Sequence, residues 1–211
     1  MLPFTLAGVV RAGALSADGG VQVTITPCRD GSPARWLIDQ RRDWWDLVTR
    51  GPSGYERYAR LRFIPDPTYD GQREMDTDFT NDGPSGIAQL GITVSALARF
   101  TTTVDECYFL IWEGYENLDH LRAATVSIPE RPCYLFRGTA EDVSTWKDAR
   151  DDSGELPIPA FVWPADRAWC IANDVDPHFA TIGAGESAIS DLLRTARIDT
   201  TLDDPTTYPP F

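Results

Sequence analysis

The sequence is short of basic residues and of histidine, and this shortage limits its partners. Its 211 residues include 19 lysines and arginines against 32 aspartates and glutamates, with two histidines, so the formal net charge is −13. A chain of this charge repels nucleic-acid phosphates and anionic lipid headgroups. We therefore expect neither nucleic acid nor a membrane surface as a partner.

Long apolar runs and closely spaced cysteines are missing as well. No stretch approaches the roughly 20 apolar residues that span a bilayer, and the apolar run at residues 4–10 lacks the basic segment that opens a secretory signal. The four cysteines show no CxxC spacing, which favours reduced thiols packed as small apolar groups; they are Cys28, Cys107, Cys133 and Cys170. These absences predict a soluble, cytoplasmic protein.

The chain does contain enough apolar residues for one folded core. Apolar residues make up 42% of it and aromatic residues 11%, and a chain of this length buries a sizeable core without a disulfide or a metal. We predict a single domain over residues 1–211, with a peripheral segment at 1–30, a long acidic loop at 66–86 and a tail at 203–211.

Apolar patterning predicts an α+β fold with about three substantial helices and a largely antiparallel sheet of five or six strands. The predicted helices are 33–50, one opening at Ser85, a short one at 140–147 and one around 189–196. The predicted strands are 58–64, 107–112, 133–136, 160–163, 168–172 and a further one at 181–182. The sheet is expected to be antiparallel because regular alternation of strands and helices is absent.

Proline and glycine mark the ends of several of these elements. Pro33 suits the first position of the first helix, and Gly51 ends that helix. The clearest hairpin turns over residues 164–167, where a proline in the second position of a type I turn is typical.

The charge is divided unevenly along the chain, which leaves two interpretations open. Residues 29–62 hold eight arginines against five acidic residues, and residues 64–86 hold one arginine against six. In the first interpretation the acidic loop folds back over the basic helix and strand. In the second, an arginine-bearing surface meets an acidic partner; its residues are Arg41, Arg42, Arg57, Arg60 and Arg62.

Adjacent tryptophans suggest a surface for another protein. Trp44 and Trp45 fall on the first predicted helix and cannot both face the core. Exposed aromatic side chains beside arginines are typical of protein interfaces, so the predicted binding residues are Trp44, Trp45, Arg41 and Arg62. The leading hypothesis is a non-enzymatic protein that binds another protein, with this patch or the acidic surface as the contact. Self-association is left open.

The alternative is a small-molecule hydrolase with carboxylates and a histidine at a sheet end. Asp174, Asp176 and His178 lie within five residues and are weak candidates for a metal site, although an ordinary turn explains them as well. Glu113 and His178 are the weak catalytic candidates, and Glu116 would pair with Glu113 after the strand. The four residues assigned to the hydrolase site are Glu113, Asp174, Asp176 and His178.

A GxGxxA pattern at residues 183–188 is similar to a dinucleotide-binding turn. A glutamate at position 186 would place negative charge against a pyrophosphate, and no strand follows to complete a β–α–β unit. We interpret the pattern as a tight turn that starts a helix, and no cofactor is predicted.

Four blocks of sequence resemble a family of uncharacterised actinobacterial proteins. They are residues 58–62, 101–114, 132–138 and 163–172, of which the last, beginning Trp-Pro-Ala-Asp-Arg-Ala-Trp-Cys, is the most specific. The chain departs from that family at residues 181–185. The resemblance implies a fold and a bacterial origin but no catalytic residues. The acidic, tryptophan-rich make-up is also distantly similar to bacterial immunity proteins of the SMI1/KNR4 type, which implies a binding role.

Overall fold

One antiparallel sheet organises the chain. The computed structural model describes residues 25–40, 42–77, 83–115, 122–144, 146 and 157–207. These residues form nine strands and five α-helices, and every strand pairing is antiparallel. The α+β class and the antiparallel sheet are therefore confirmed. The predicted numbers of strands and helices were too low.

The strands and helices have the following bounds. The strands are β1 Thr26–Pro27, β2 Arg57–Arg62, β3 Cys107–Trp112, β4 Ala124–Val126, β5 Cys133–Gly138, β6 Phe161–Pro164, β7 Trp169–Ala172, β8 Phe179–Ala184 and β9 Thr200–Asp203. The helices are α1 Arg35–Ile38, α2 Trp44–Arg50, α3 Gly86–Leu97, α4 Ala140–Ser144 and α5 Glu186–Leu192. The strand order is β1-β5-β3-β6-β7-β8-β2-β9, and β4 also pairs with β5.

The prediction of one continuous helix over 33–50 was wrong. α1 ends at Ile38, and α2 begins only after Asp43, whose backbone is extended and whose carboxylate accepts a hydrogen bond of 2.9 Å from the Trp45 amide. An aspartate that caps a new helix start in this way competes with continuation of the preceding helix. The end of α2 is as predicted, because Gly51 follows it with a φ of 70° that favours glycine.

The middle of the sheet is buried on both faces, as the apolar runs predict. Phe109, Leu110 and Ile111 of β3 are fully buried between β5 and β6. Successive side chains of each strand point to opposite faces. One face packs against α3, α4 and α5, and the other packs against α1 and α2.

The hairpin between β6 and β7 is fastened to the loop before β3. The Arg167 amide donates to the Pro164 carbonyl at 2.8 Å, so the proline is the first residue of the turn and not the second. The Asp166 carboxylate accepts bonds from the Thr101 hydroxyl at 2.8 Å and from the Thr102 amide at 2.7 Å. Two of the sequence blocks described above, 101–114 and 163–172, therefore meet here in a structural contact.

α3 begins as predicted, with the Ser85 hydroxyl accepting from the Ala88 amide. Within the described residues, none of the helices has the length and apolarity that crossing a membrane requires.

Candidate functional site

A partly buried arginine, Arg131, joins several segments at the end of the sheet where β3 and β7 finish. Arg131, just before β5, donates from Nε to the two carboxylate oxygens of Asp174 at 3.1 and 3.3 Å and from Nη2 to Asp176. Its guanidinium carbon lies 5.5 Å from the ring centroid of Trp44 and 5.3 Å from that of Trp112. We call these five residues the Arg131 cluster.

The Arg131 cluster accounts for two of the three candidate metal ligands. The Asp174 side chain is 1% exposed and that of Asp176 is 53% exposed, and both carboxylates face the same guanidinium. Burial lowers the pKa of Arg131, but the bonds and charges of the two aspartates outweigh it and raise that pKa overall. Among the residues that the structure describes, no three histidine, cysteine or acidic side chains form a group suited to a metal ion.

The remaining hydrolase candidates, His178 and Glu113, have contacts of their own. His178 is buried at the start of β8, with its ring edge-to-face against Phe179 at 5.9 Å. Glu113 is exposed after β3, and its amide donates to the Pro132 carbonyl at 2.9 Å. Glu116 lies outside the described residues.

A cavity of about 340 Å³ opens at the same end of the sheet as the Arg131 cluster. Of the four hydrolase candidates, only Asp174 lines it. The lining residues are Phe63, Pro84, Ser85, Gly86, Gln89, Trp112, Tyr115, Ile158, Ala160, Asn173, Asp174, Val175 and Pro177. The cavity joins the ends of β2, β3 and β7 to the start of α3, so it depends on segments that are distant in sequence.

The two adjacent tryptophans are both half-buried. Their rings meet edge-to-face at 5.6 Å, and Trp44 also packs on Arg131. Arg41, which was predicted to accompany them, lies outside the described residues. Arg42 donates to the Gly51 carbonyl at 2.9 Å and thereby fixes the end of α2.

The arginines of β2 are paired within the chain. Arg60 Nη1 lies 2.6 Å from Asp66, and its Nε lies 3.2 Å from Asp203 of β9. Arg62 contacts Asp66 at 3.1 Å and Asp199 at 2.7 Å, and its side chain is 25% exposed. The contact with the strand that the first interpretation predicts is therefore present at Asp66, the first residue of the acidic loop. Sequence reasoning missed the part played by Asp203, which lies more than 140 residues from Arg60 in the chain.

The loop at residues 66–77 displays two apolar side chains. Tyr69 is 58% exposed and Met75 is 77% exposed. The loop is nonetheless held by internal bonds: the Thr68 amide donates to Gln72 Oε1 at 2.7 Å. Isolated apolar residues within a polar, acidic segment are the sequence signal that could have identified this surface.

The cysteines are free, and three of the four are fully buried, as predicted. Burial raises the pKa of Cys28 to about 11 and that of Cys107 to about 12. Burial also raises the pKa of Cys133 and of Cys170. The thiols stay protonated at neutral pH, whereas the thiolate is the nucleophilic form.

The GxGxxA pattern is a strand-to-helix turn, as interpreted from the sequence. Gly183 belongs to β8, and a side chain there would approach the Tyr55 ring to 2.3 Å. The Glu186 amide at the start of α5 donates to the Glu56 carboxylate at 2.9 Å, so an acidic side chain of the chain itself occupies the position at which a phosphate would bind.

Comparison with protein families, curated proteins and solved structures finds no match to this chain. The likenesses to an actinobacterial family and to immunity proteins stay predictions.

Proposed function

We propose that this protein is a non-enzymatic binding protein whose acidic loop, residues 66–77, contacts a basic protein partner. The observation that carries the proposal is the exposure of Tyr69 and Met75 on a loop fixed by its own hydrogen bonds.

The loop is held in place before any partner arrives. Asp66 anchors its start to Arg60 and Arg62. Further along, Arg73 Nε lies 3.0 Å from Asp76, and the Asp76 amide donates to the Arg73 carbonyl. A preformed loop loses less conformational entropy on binding, which favours affinity. In this arrangement Arg62, one of the predicted binding residues, acts by positioning the loop.

The side chains on the loop suit a protein partner of opposite charge. Tyrosine combines an apolar ring with a polar end, and methionine adapts to irregular surfaces, so both are enriched at interfaces. Residues 66–77 contain four acidic residues against one arginine, within a chain of net charge −13. Such charge attracts a basic surface and speeds its association. An immunity-like role, in which the acidic chain covers a basic partner, is one concrete form of this proposal.

Trp44 and Trp45 are a second contact under the same proposal. Both rings are half-buried, so part of each remains accessible beside the exposed Asp43 and Asp46. This surface again combines aromatic and acidic groups.

The test compares a loop variant with a matched surface variant. The double variant Tyr69→Ser/Met75→Ser removes the exposed apolar groups, and Leu202→Ser removes an equally exposed one from β9 (59%). Each purified protein is cross-linked in a lysate of the source cells, and the captured proteins are quantified by mass spectrometry. We expect the unaltered protein and Leu202→Ser to capture the same basic protein, and the double variant to capture at least about tenfold less of it.

Circular dichroism should show equal folding of all three proteins, because the altered side chains are exposed. Equal capture by the double variant, or capture of no basic protein by the unaltered chain, would contradict the proposal.

A further inference from the structure

The cavity at the sheet end combines apolar walls with fixed hydrogen-bond acceptors. Its apolar walls are Phe63, Trp112, Tyr115, Ile158 and Pro177. Small-molecule sites have this composition, with volumes of roughly 300 to 1,000 Å³ and a few placed polar groups. The cavity, at about 340 Å³, matches the lower end of that range.

Two carboxamides in the lining are oriented by proline carbonyls. Gln89 Nε2 donates to the Pro84 carbonyl at 3.0 Å, and Asn173 Nδ2 donates to the Pro159 carbonyl at 3.4 Å. In each case the amide nitrogen is engaged, so the carbonyl oxygen on the other side of the group remains as an acceptor. Within the part of the chain that the structure describes, neither Gln89 Oε1 nor Asn173 Oδ1 accepts a hydrogen bond.

Asp174 also lines the cavity. Its side chain is 1% exposed, and both of its carboxylate oxygens are bonded to a single nitrogen, Arg131 Nε. The carboxylate is therefore engaged by Arg131, and it contributes negative charge beside the cavity rather than a free acceptor. Arg131 contacts both Asp174 and Trp112, so the Arg131 cluster fixes the positions of two residues that line the cavity.

The charge of the lining selects among ligands. Among the residues that the structure describes, the 13 that line the cavity include one aspartate and no lysine, arginine or histidine side chain. An anion would meet no cationic side chain among these residues, whereas a hydroxyl or ammonium group would find the two carboxamide oxygens of Gln89 and Asn173. We infer that this cavity is a binding site for a compact small molecule with an apolar ring and N–H or O–H donors, and that it disfavours anions. This inference is independent of the proposed protein contact, because no residue of the 66–77 loop lines the cavity.

Three probes with the same ring test this selectivity. Benzylamine carries a cationic donor, benzyl alcohol a neutral donor and benzoate an anion. We expect benzylamine to bind the full-length protein with a Kd of about 1 mM, benzyl alcohol to bind more weakly and benzoate not to bind, as measured by NMR titration. Equal binding of benzylamine and benzoate, or no binding of benzylamine at about ten times that concentration, would overturn the inference.

Variants then locate the binding. Gln89→Met keeps the length of the side chain and removes its acceptor, so benzylamine should bind about tenfold more weakly. Gln40→Met is the matched control, because Gln40 does not line the cavity, and it should leave the affinity unchanged. Val175 lines the cavity and is 44% exposed, so Val175→Lys should fold. It should weaken benzylamine and strengthen benzoate. Unchanged affinities in both cavity variants would place the binding elsewhere and refute the site.

Discussion

The sheet face that carries α3, α4 and α5 and the face that carries α1 and α2 are covered in different ways. α3 has 12 residues, whereas α1 and α2 have four and seven. The half-buried tryptophans all pack on the α1–α2 face; they are Trp36, Trp44, Trp45 and Trp112. The two tryptophans of the other face, Trp146 and Trp169, are buried.

The difference shows two ways of covering the face of a sheet. A long helix covers its face with aliphatic side chains from successive turns, such as Leu90, Val94 and Leu97, all fully buried. Two short helices cannot cover the same area, so large aromatic side chains and the Arg131 cluster replace helix length on the α1–α2 face. That face therefore depends more on polar contacts, and it leaves aromatic surface open to solvent.

The largest expected effect comes from breaking the Arg131 cluster. Arg131→Ala leaves the Asp174 carboxylate, 1% exposed, without its cation, and should lower the free energy of unfolding by about 4 kcal/mol. Adding Asp174→Asn removes the stranded charge and should recover about half of that loss. Urea unfolding followed by circular dichroism measures both effects.

Arg57→Ala is the control for the Arg131 variant. Arg57 pairs with Glu186 at 3.1 Å, but both side chains are more than half exposed, so its loss should barely change stability. If Arg131→Ala behaved like Arg57→Ala, the Arg131 cluster would not be what holds the α1–α2 face.

Paired core truncations compare the two faces directly. Leu90 of α3 is fully buried and Leu47 of α2 is 5% exposed. Leu90→Ala should cost about 3 kcal/mol and Leu47→Ala about 2 kcal/mol, because the thinner layer around α2 collapses more readily into the space left behind. Denaturation midpoints at constant m-value measure the two losses. An equal or larger loss for Leu47→Ala would remove the proposed contrast between the faces.

Local sequence patterns predicted the central strands, which both faces share, and the helix α3. β3, β5 and the β6–β7 hairpin are marked by apolar runs and a proline turn, and α3 by Ser85 and the period that follows it. Such signals lie within one segment, so they can be read without knowing its neighbours. The strands β1 and β4 have only two and three residues, too few to show a period, and β9 contains a single apolar residue, Leu202, which explains why they were missed.

The candidate sites were harder to predict because they depend on contacts between distant segments. Asp174 and Asp176 were singled out, but their partner Arg131 lies 43 and 45 residues away. A cluster of acidic residues has the same sequence signature whether it binds a metal or an arginine. The walls of the cavity likewise come from several separate parts of the chain.

Asp166 lies at the end of the sheet opposite the Arg131 cluster, and its contribution to the free energy of unfolding should depend on pH. Burial alone would raise the pKa of Asp166, but the hydrogen bonds from Thr102 and Thr101 lower it below its usual 3.8. The stabilisation by the ionised Asp166 carboxylate is therefore complete above pH 3.8, the pKa of the unfolded state. It is lost as the pH falls through the lower pKa of the folded state. Asp166→Asn should cost about 1 kcal/mol at pH 7, a modest amount because the side chain is exposed.

Unfolding free energies measured from pH 7 down to pH 2 check this prediction. The difference between Asp166→Asn and the unaltered protein should shrink at the acid end. A difference that stays constant with pH would show that the ionised carboxylate is not the stabilising group.

The smallest expected effects on stability come from removing the side chains that cap α2 and α3, one helix on each face of the sheet. The Asp43 carboxylate accepts from the Trp45 amide at 2.9 Å, and the Ser85 hydroxyl accepts from the Ala88 amide at a longer 3.4 Å. Asp43→Ala should cost about 1 kcal/mol and Ser85→Ala about 0.5 kcal/mol, because a helix of seven residues has fewer other contacts to hold its first turn than one of 12. Amide hydrogen exchange should show faster exchange throughout α2 in the first variant, but only in the first turn of α3 in the second. Faster exchange confined to the first turn of α2 would mean that the aromatic packing, and not the cap, holds the short helix in place.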